Sequence, residues 1–342
     1  MPPTDSNVHG TGPAVAAPTS VLWRRRWLRV AASVAISGVM LWLAFRTVDP
    51  DQLLRLLESA SGGWIATAML LYWIELVVRV QRWRVILGPV KRLSFAAVAN
   101  ALIVGYAANN IIPARLGELV RADYIGRRYG LSRFSAASTI VIERVFDLAA
   151  VTVCAALGAA LLLRSRASLP LPLLSGIVAV TTVVGLAFLV MYAANPGAVA
   201  TLARRFPRLA TPLRSTAEGL KCLRTPRLLA SVVLLSLLAW FFNGAAMAAV
   251  LQAVGVEPDL TLLLLVIGAS GVAVAVPSAP AGLGTLQFAF VSVVGGVAHN
   301  SNAGFLAALF VQFFLLGSVT LTGALVFASS GFRLTNRSDE QE

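Results

Sequence analysis

The stretch NNIIPARLGELVRADYIGRR, Asn109 to Arg128, decides how this chain is read. It follows an apolar run that starts near Phe95, and Asn109, Asn110 and Pro113 break that run. Arg115, Glu118 and Arg121 then fall within two turns of a helix that restarts after the proline. If the segment lies in lipid, these charges are expensive and must be paired or line a polar path. The bland alternative is a loop helix at the membrane surface with internal salt bridges.

Composition favours lipid. Apolar residues make up 58% of the 342, and charged residues only 13%. Mean hydropathy is +0.80. A soluble domain of this length has no use for so much apolar surface, whereas a polytopic membrane protein does. The formal net charge of +13 does not indicate nucleic-acid binding, because the Lys and Arg cluster between apolar segments and no nucleic-acid module accompanies them. Cys154 and Cys222 are too far from like partners for a metal site or an evident disulfide, and His9 and His299 are solitary. No metal and no cofactor are expected.

Apolar stretches long enough to cross, about 20 residues each, occur near 27–45, 64–86, 137–163, 170–193, 229–253 and 303–328. Residues 1–22 read as a disordered tail and 333–342 as a short C-terminal tail, leaving 23–332 as one integral membrane domain. Two more apolar stretches are interrupted: 95–112 by the quoted break, and 260–298 by PSAPAGLGT, Pro277 to Thr285.

Charge orients these segments. Arg79, Arg82, Arg84, Lys91 and Arg92 follow the second span, and Arg115, Arg121, Arg127, Arg128 and Arg133 follow 95–112. Both groups stay cytoplasmic only if 95–112 dips in and returns. The same reasoning makes 260–298 a second hairpin, with both chain termini in the cytoplasm. The expected fold is therefore an all-α polytopic membrane protein with about six full transmembrane helices and two re-entrant broken-helix hairpins. The halves, about 23–163 and 170–330, then form an inverted repeat, and paired interrupted segments of this kind point to a transporter's binding site.

The breaks supply the candidate site residues. Asn109 and Asn110 can bond freed backbone groups, and Pro113 stops the incoming helix. Arg115, Glu118 and Arg121 share one broad helical face. STIVIERVFDLAAV carries Glu143, Arg144 and Asp147 among aliphatics, with Glu143 and Asp147 on one face. Arg115 or Arg121 is expected to pair with Glu143 or Asp147, leaving an arginine for a phosphate, whose oxygens its planar fork matches. At the second break, Pro277 and Pro280 stop the helix, Gly282 and Gly284 expose backbone N–H groups as an anion cradle, and Thr285 and Gln287 stand nearby. The structural readings are an ion pair at the interface for Glu143, Arg144 and Asp147, and close helix packing for the glycines. Glu75 and Arg79, spaced i to i+4, read as a snorkelling pair. The basic loop 204–227 suits a helix on an anionic lipid surface.

PARLGELVRA (Pro113 to Ala122), ERVFD (Glu143 to Asp147) and PSAPAGLGTLQ (Pro277 to Gln287) together resemble the lysylphosphatidylglycerol synthase transmembrane-region family of flippase-like integral membrane proteins. The resemblance covers about Trp23 to Phe332. It implies movement of an aminoacylated phospholipid between leaflets of the bacterial inner membrane, and for similar stand-alone proteins a link to other lipids, including hopanoids, or to transfer of polyprenyl-phosphate sugars. The chain ends at Glu342, just after the last span, so a synthase domain is expected to be absent and lysylphosphatidylglycerol is weakened as the cargo.

The expected function is a lipid flippase or transporter for an anionic or phosphate-bearing lipid, with that lipid, the anionic membrane surface and a second copy of the chain as partners. The competing class is a membrane glycosyltransferase using a polyprenyl-phosphate sugar, with Glu118, Glu143 or Asp147 as general base. A third reading is a structural partner subunit.

Overall fold

A computed structural model describes residues 19–112, 116–165, 210–276 and 279–329, with 197, 201 and 204–206 between them. The tails, the span expected at 170–193, and Pro113, Arg115 and Pro277 lie outside the described residues. The order is α1 (Thr19–Phe45), α2 (Pro50–Ser59), α3 (Gly62–Leu87), α4 (Phe95–Ile111), α5 (Gly117–Tyr129), α6 (Arg133–Ser165) and α7 (Ala210–Gly219). A 3₁₀ turn (Leu220–Arg224), α8 (Pro226–Ala253), α9 (Leu260–Ala275), a second 3₁₀ turn (Pro280–Gly282) and α10 (Thr285–Val297) follow. The last helix, α11 (Ser301–Ser329), carries a π-helical turn at Val311–Leu316. All elements among the described residues are helical.

Polar residues between the apolar runs start the helices. Ser94 Oγ accepts the Ala97 N–H, Asp259 Oδ1 the Leu262 N–H at 2.7 Å, and Asn300 Oδ1 the Ala303 N–H at 2.9 Å. Gly130, at φ 64°, ends α5 in the left-handed conformation that glycine adopts without strain. Outward-facing Leu70, Leu234, Phe241, Leu321 and Leu325 are exposed, as helices solvated by lipid require.

Five helices among the described residues are long and apolar enough to cross a membrane, or six if α1 and α2 count as one bent span. The protein is an all-α, multi-pass membrane protein. α4 and α5, of 17 and 13 residues, rise only about 26 and 20 Å against about 30 Å of hydrocarbon. α9 has 16 residues, while α10 counted from Pro280 reaches 18 and meets the length criterion.

The helix pairing has a symmetry. α3 packs along α8, α6 along α9, and the end of α11 along α4. Exchanging the halves turns the α3–α8 pair into itself and the other two pairs into each other. α4 also touches the 3₁₀ turn Pro280–Gly282, so the first interrupted segment meets the second break. Small residues make these approaches close. A Cβ on Gly271 would lie 2.5 Å from Val151, and one on Gly323 would lie 2.4 Å from Ala107 Cβ and 2.7 Å from Ile103 O. Gly323→Leu is therefore expected to destabilise the detergent-solubilised protein by about 2 kcal/mol, seen as a lower melting temperature. An unchanged melting curve would mean that α4 and α11 pack differently.

Two features were not anticipated. α2 leaves α1 at 86° as an amphipathic helix. Asn302 holds it there, accepting the Asp49 N–H and donating to Gln52 Oε1, each at 2.8 Å. Leu54 and Leu57 remain exposed along it, the form of a helix lying in the lipid–water interface. The second feature is Cys222, buried in the first 3₁₀ turn, where burial pushes its thiol up to about 12. The thiolate is the nucleophile, so Cys222 should resist maleimide at about pH 8 in the folded protein and react once it is unfolded. Rapid labelling of the native protein would contradict its placement.

Candidate functional site

Eight ionisable side chains from α3, α5 and α6 meet inside the helix bundle. α6 offers Glu143, Arg144 and Asp147; α3 offers Glu75, Arg79 and Arg82 at positions i, i+4 and i+7 of one face; α5 offers Glu118 and Arg121. Asp147 is the hub. It accepts from Arg82 Nη1 at 2.8 Å and Nη2 at 3.2 Å, and from Arg79 Nη1 at 3.1 Å. Trp240 Nε1, from α8, donates to it at 3.3 Å. Glu75 Oε1 accepts from Arg79 Nε at 2.6 Å, and its other oxygen accepts from Asn243 of α8 at 3.0 Å.

Glu143 receives Arg121 as a fork, with Nη2–Oε2 2.7 Å and Nη1–Oε1 3.3 Å. The Arg121 guanidinium lies 3.4 Å from the centre of the Trp83 ring, and Trp83 Nε1 is held by Thr139 Oγ1 at 3.1 Å. Charges this deep are tolerated because each is forked, stacked or shared.

Arg144 differs. Its guanidinium stands 3.5 to 3.7 Å from Glu143, Glu118 and Asp147, beyond good hydrogen-bond geometry. Its side chain is 41% exposed, against 0% for Arg82 and 1% for Arg121. Its Nε has no hydrogen-bond partner among the described residues, a feature shared with the buried Nε of Arg82 and Arg121. Glu118, beside it, is 31% exposed and accepts from Asn109 Nδ2 at 3.3 Å.

The pairing of Arg121 with Glu143, and the shared face of Glu143 and Asp147, are as the sequence suggests. The snorkelling reading of Glu75 and Arg79 is overturned: both are buried and bound into the network. Arg79 and Arg82 likewise lie within the second span rather than after it, because α3 continues to Leu87 around them. The i, i+4, i+7 spacing of Glu75, Arg79 and Arg82 was the signal available in the sequence.

At the first break, Asn109 Oδ1 accepts the Gly117 N–H at 2.7 Å and so caps the restart of the chain in α5. Asn110 reaches α11, donating to Thr320 Oγ1 at 2.9 Å and Leu316 O at 3.2 Å.

At the second break the expected anion cradle is closed. Gly284 N–H donates to Gln287 Oε1 at 2.7 Å, and Gly282 N–H to Ala279 O at 3.1 Å. Ala279 N–H goes to Ser37 Oγ of α1 at 2.6 Å. Pro280 opens the 3₁₀ turn rather than a binding surface. Gly284 is required for close approach, since a Cβ there would sit 2.2 Å from Ser37 O. Its φ of 86° is itself a glycine conformation.

The comparisons agree with this architecture. The family model for the lysylphosphatidylglycerol synthase transmembrane region matches residues 30–323. Glycosyltransferase AglD of Haloferax volcanii is 24% identical over 88% of this chain, but the chain spans only 54% of that protein's length. A UPF0104 membrane protein of Methanothermobacter thermautotrophicus is 22% identical over 89% of both chains. UPF0104 membrane protein MJ1078 of Methanocaldococcus jannaschii is 24% identical over 64% of this chain and 92% of its own. No solved structure matches. With a family match that runs from α1 to α11 and takes in both interrupted segments, the chain belongs to the lysylphosphatidylglycerol synthase transmembrane-region family.

Proposed function

We propose that this protein carries a phosphate-bearing lipid between membrane leaflets, with Arg144 as the group that meets the headgroup. One observation carries the reading: Arg144 lies on an exposed apolar stripe of α6. Val141 and Leu148, three residues before it and four after, are each 50% exposed. A half-exposed guanidinium between two lipid-facing aliphatics is costly in hydrocarbon unless an anion covers it. A phosphodiester that enters sideways supplies hydrogen-bonding oxygens to the arginine, while its tails lie along Val141 and Leu148. The shortness of α4, α5 and α9, and the contact of α4 with the second break, support movement of such a headgroup along a broken path.

The charge of the network bears on the cargo proposed. Among the described residues it holds four arginines and four carboxylates and is electroneutral. Arg79, Arg82 and Arg121 are tied to carboxylates at short range, so they scaffold rather than bind. A bound phosphate then calls for one more positive charge, from Arg115 or from the headgroup itself.

The test uses purified full chain in liposomes containing a fluorescent phosphatidylglycerol, phosphatidylethanolamine or polyprenyl phosphate. Reduction by an impermeant quencher reports movement. Movement above protein-free liposomes for at least one of them is expected, and none for any would overturn the proposal.

The similarity to AglD favours a second reading, sugar transfer from a polyprenyl-phosphate donor, with Glu118 as general base. Glu118 suits that role as the partly exposed carboxylate with a long ion pair, 3.7 Å to Arg144. Transfer of labelled sugar to an acceptor, lost in Glu118→Gln, would place this reading first.

A further inference from the structure

The π-helical turn of α11 is in neither interrupted segment, yet both segments hold it. A π turn packs its backbone less well than an α-helix, and such turns concentrate at functional sites. Within this one, Gln312 Nε2 donates to Ala281 O at 3.0 Å, at a residue whose φ of 54° marks the non-helical centre of the second break. Gln312 Oε1 accepts from Gln287 Nε2, and Gln287 in turn holds the Gly284 N–H. One turn further on, Leu316 O and Thr320 Oγ1 accept from Asn110, at the first break. Asn109 then bonds Glu118, which borders Arg144.

We propose that the π turn Val311–Leu316 is the mechanical link between the second break and the Arg144 site, with Gln312 and Asn110 as its positioning residues. This rests on the transport reading for its purpose, although the link is measurable without transport. The link is built from uncharged amides, and Gln287 and Gln312 are both buried. A buried amide has few alternative partners, so these bonds persist only while both breaks keep their places relative to α11. A shift of α11 by one residue at the π turn would move Gln312 and Leu316 together. Both breaks would then have to follow or lose their partners.

The experiment is hydrogen exchange on the full chain in lipid nanodiscs, with two near-isosteric variants. Gln312→Met removes the grip on the second break, and Thr320→Val removes a grip on the first. Because coupling is reciprocal, each variant should speed exchange in both 105–120 and 279–288, by about fivefold, the population change expected from one lost buried hydrogen bond. If each variant loosens only the break that it touches, the link does not exist. It is equally excluded if Gln312→Met and Thr320→Val add independently in the double variant. Reciprocal loosening in a protein that moves no lipid would keep the link and sink the transport reading, so the two failures are distinguishable.

Discussion

Replacing Asp147 by alanine is expected to cost about 3–5 kcal/mol, the penalty for leaving buried charge without its partner. Two arginines, Arg79 and Arg82, donate to this carboxylate from α3, and Trp240 donates from α8. Removing it leaves Arg79 with Glu75 alone, and Arg82 with only a 3.4 Å ion pair to Glu143, a carboxylate that Arg121 already forks. The loss is a large share of a typical total stability of about 5–15 kcal/mol. Asp147→Ala should therefore yield little monodisperse protein in detergent and a melting temperature far below wild type, with Asp147→Asn in between. Glu75→Gln should cost less, since Arg79 can still donate to the amide oxygen and the Asn243 amide, turned over, can accept from the new NH2 group. A wild-type melting curve for Asp147→Ala would show that the three-helix network is not held through this residue.

Arg144→Gln should do the opposite: leave the fold intact and stop the function. Its ion pairs are long and half-exposed, and such pairs contribute at most about 1 kcal/mol. Against a phosphodiester, however, a charge-assisted bond is worth about 1.5–3 kcal/mol, or roughly tenfold to a hundredfold in transport at limiting lipid. Arg144→Lys keeps the charge without the fork and should recover only part of the rate. Equal rates in wild type and Arg144→Gln, at equal reconstitution, would remove Arg144 from the lipid path.

The helices and their boundaries were largely legible in the sequence because they depend on local features. Apolar runs, Ser94, Asp259, Asn300 and Gly130 mark where helices begin and end, and lipid leaves few alternatives to helix. The Arg121–Glu143 pair was legible too, because two break-proximal motifs of opposite charge invite each other. The depth of Glu75, Arg79 and Arg82 was not. Charge near the end of an apolar run reads as a flank, and the groups that bury these residues stand on α6 and α8, 65 to 168 residues away. The glycine cradle failed for the same reason. The Gly282 and Gly284 amides look free until Ala279 O, three residues back, and Gln287 Oε1, from the next turn, occupy them. Gln312, which no motif marked, closes that region from α11.

The equality of the four arginines and four carboxylates has a consequence for bioenergetics. A voltage of 100 mV does about 2.3 kcal/mol of work on each elementary charge that crosses its full drop. It does no net work on a rigid assembly whose charges sum to zero. On the transport reading, translation of this cluster along the field would therefore add no net charge movement of its own. If the protein carries a lipid as proposed, a dependence of turnover on voltage would report charge outside this cluster, that of the cargo included.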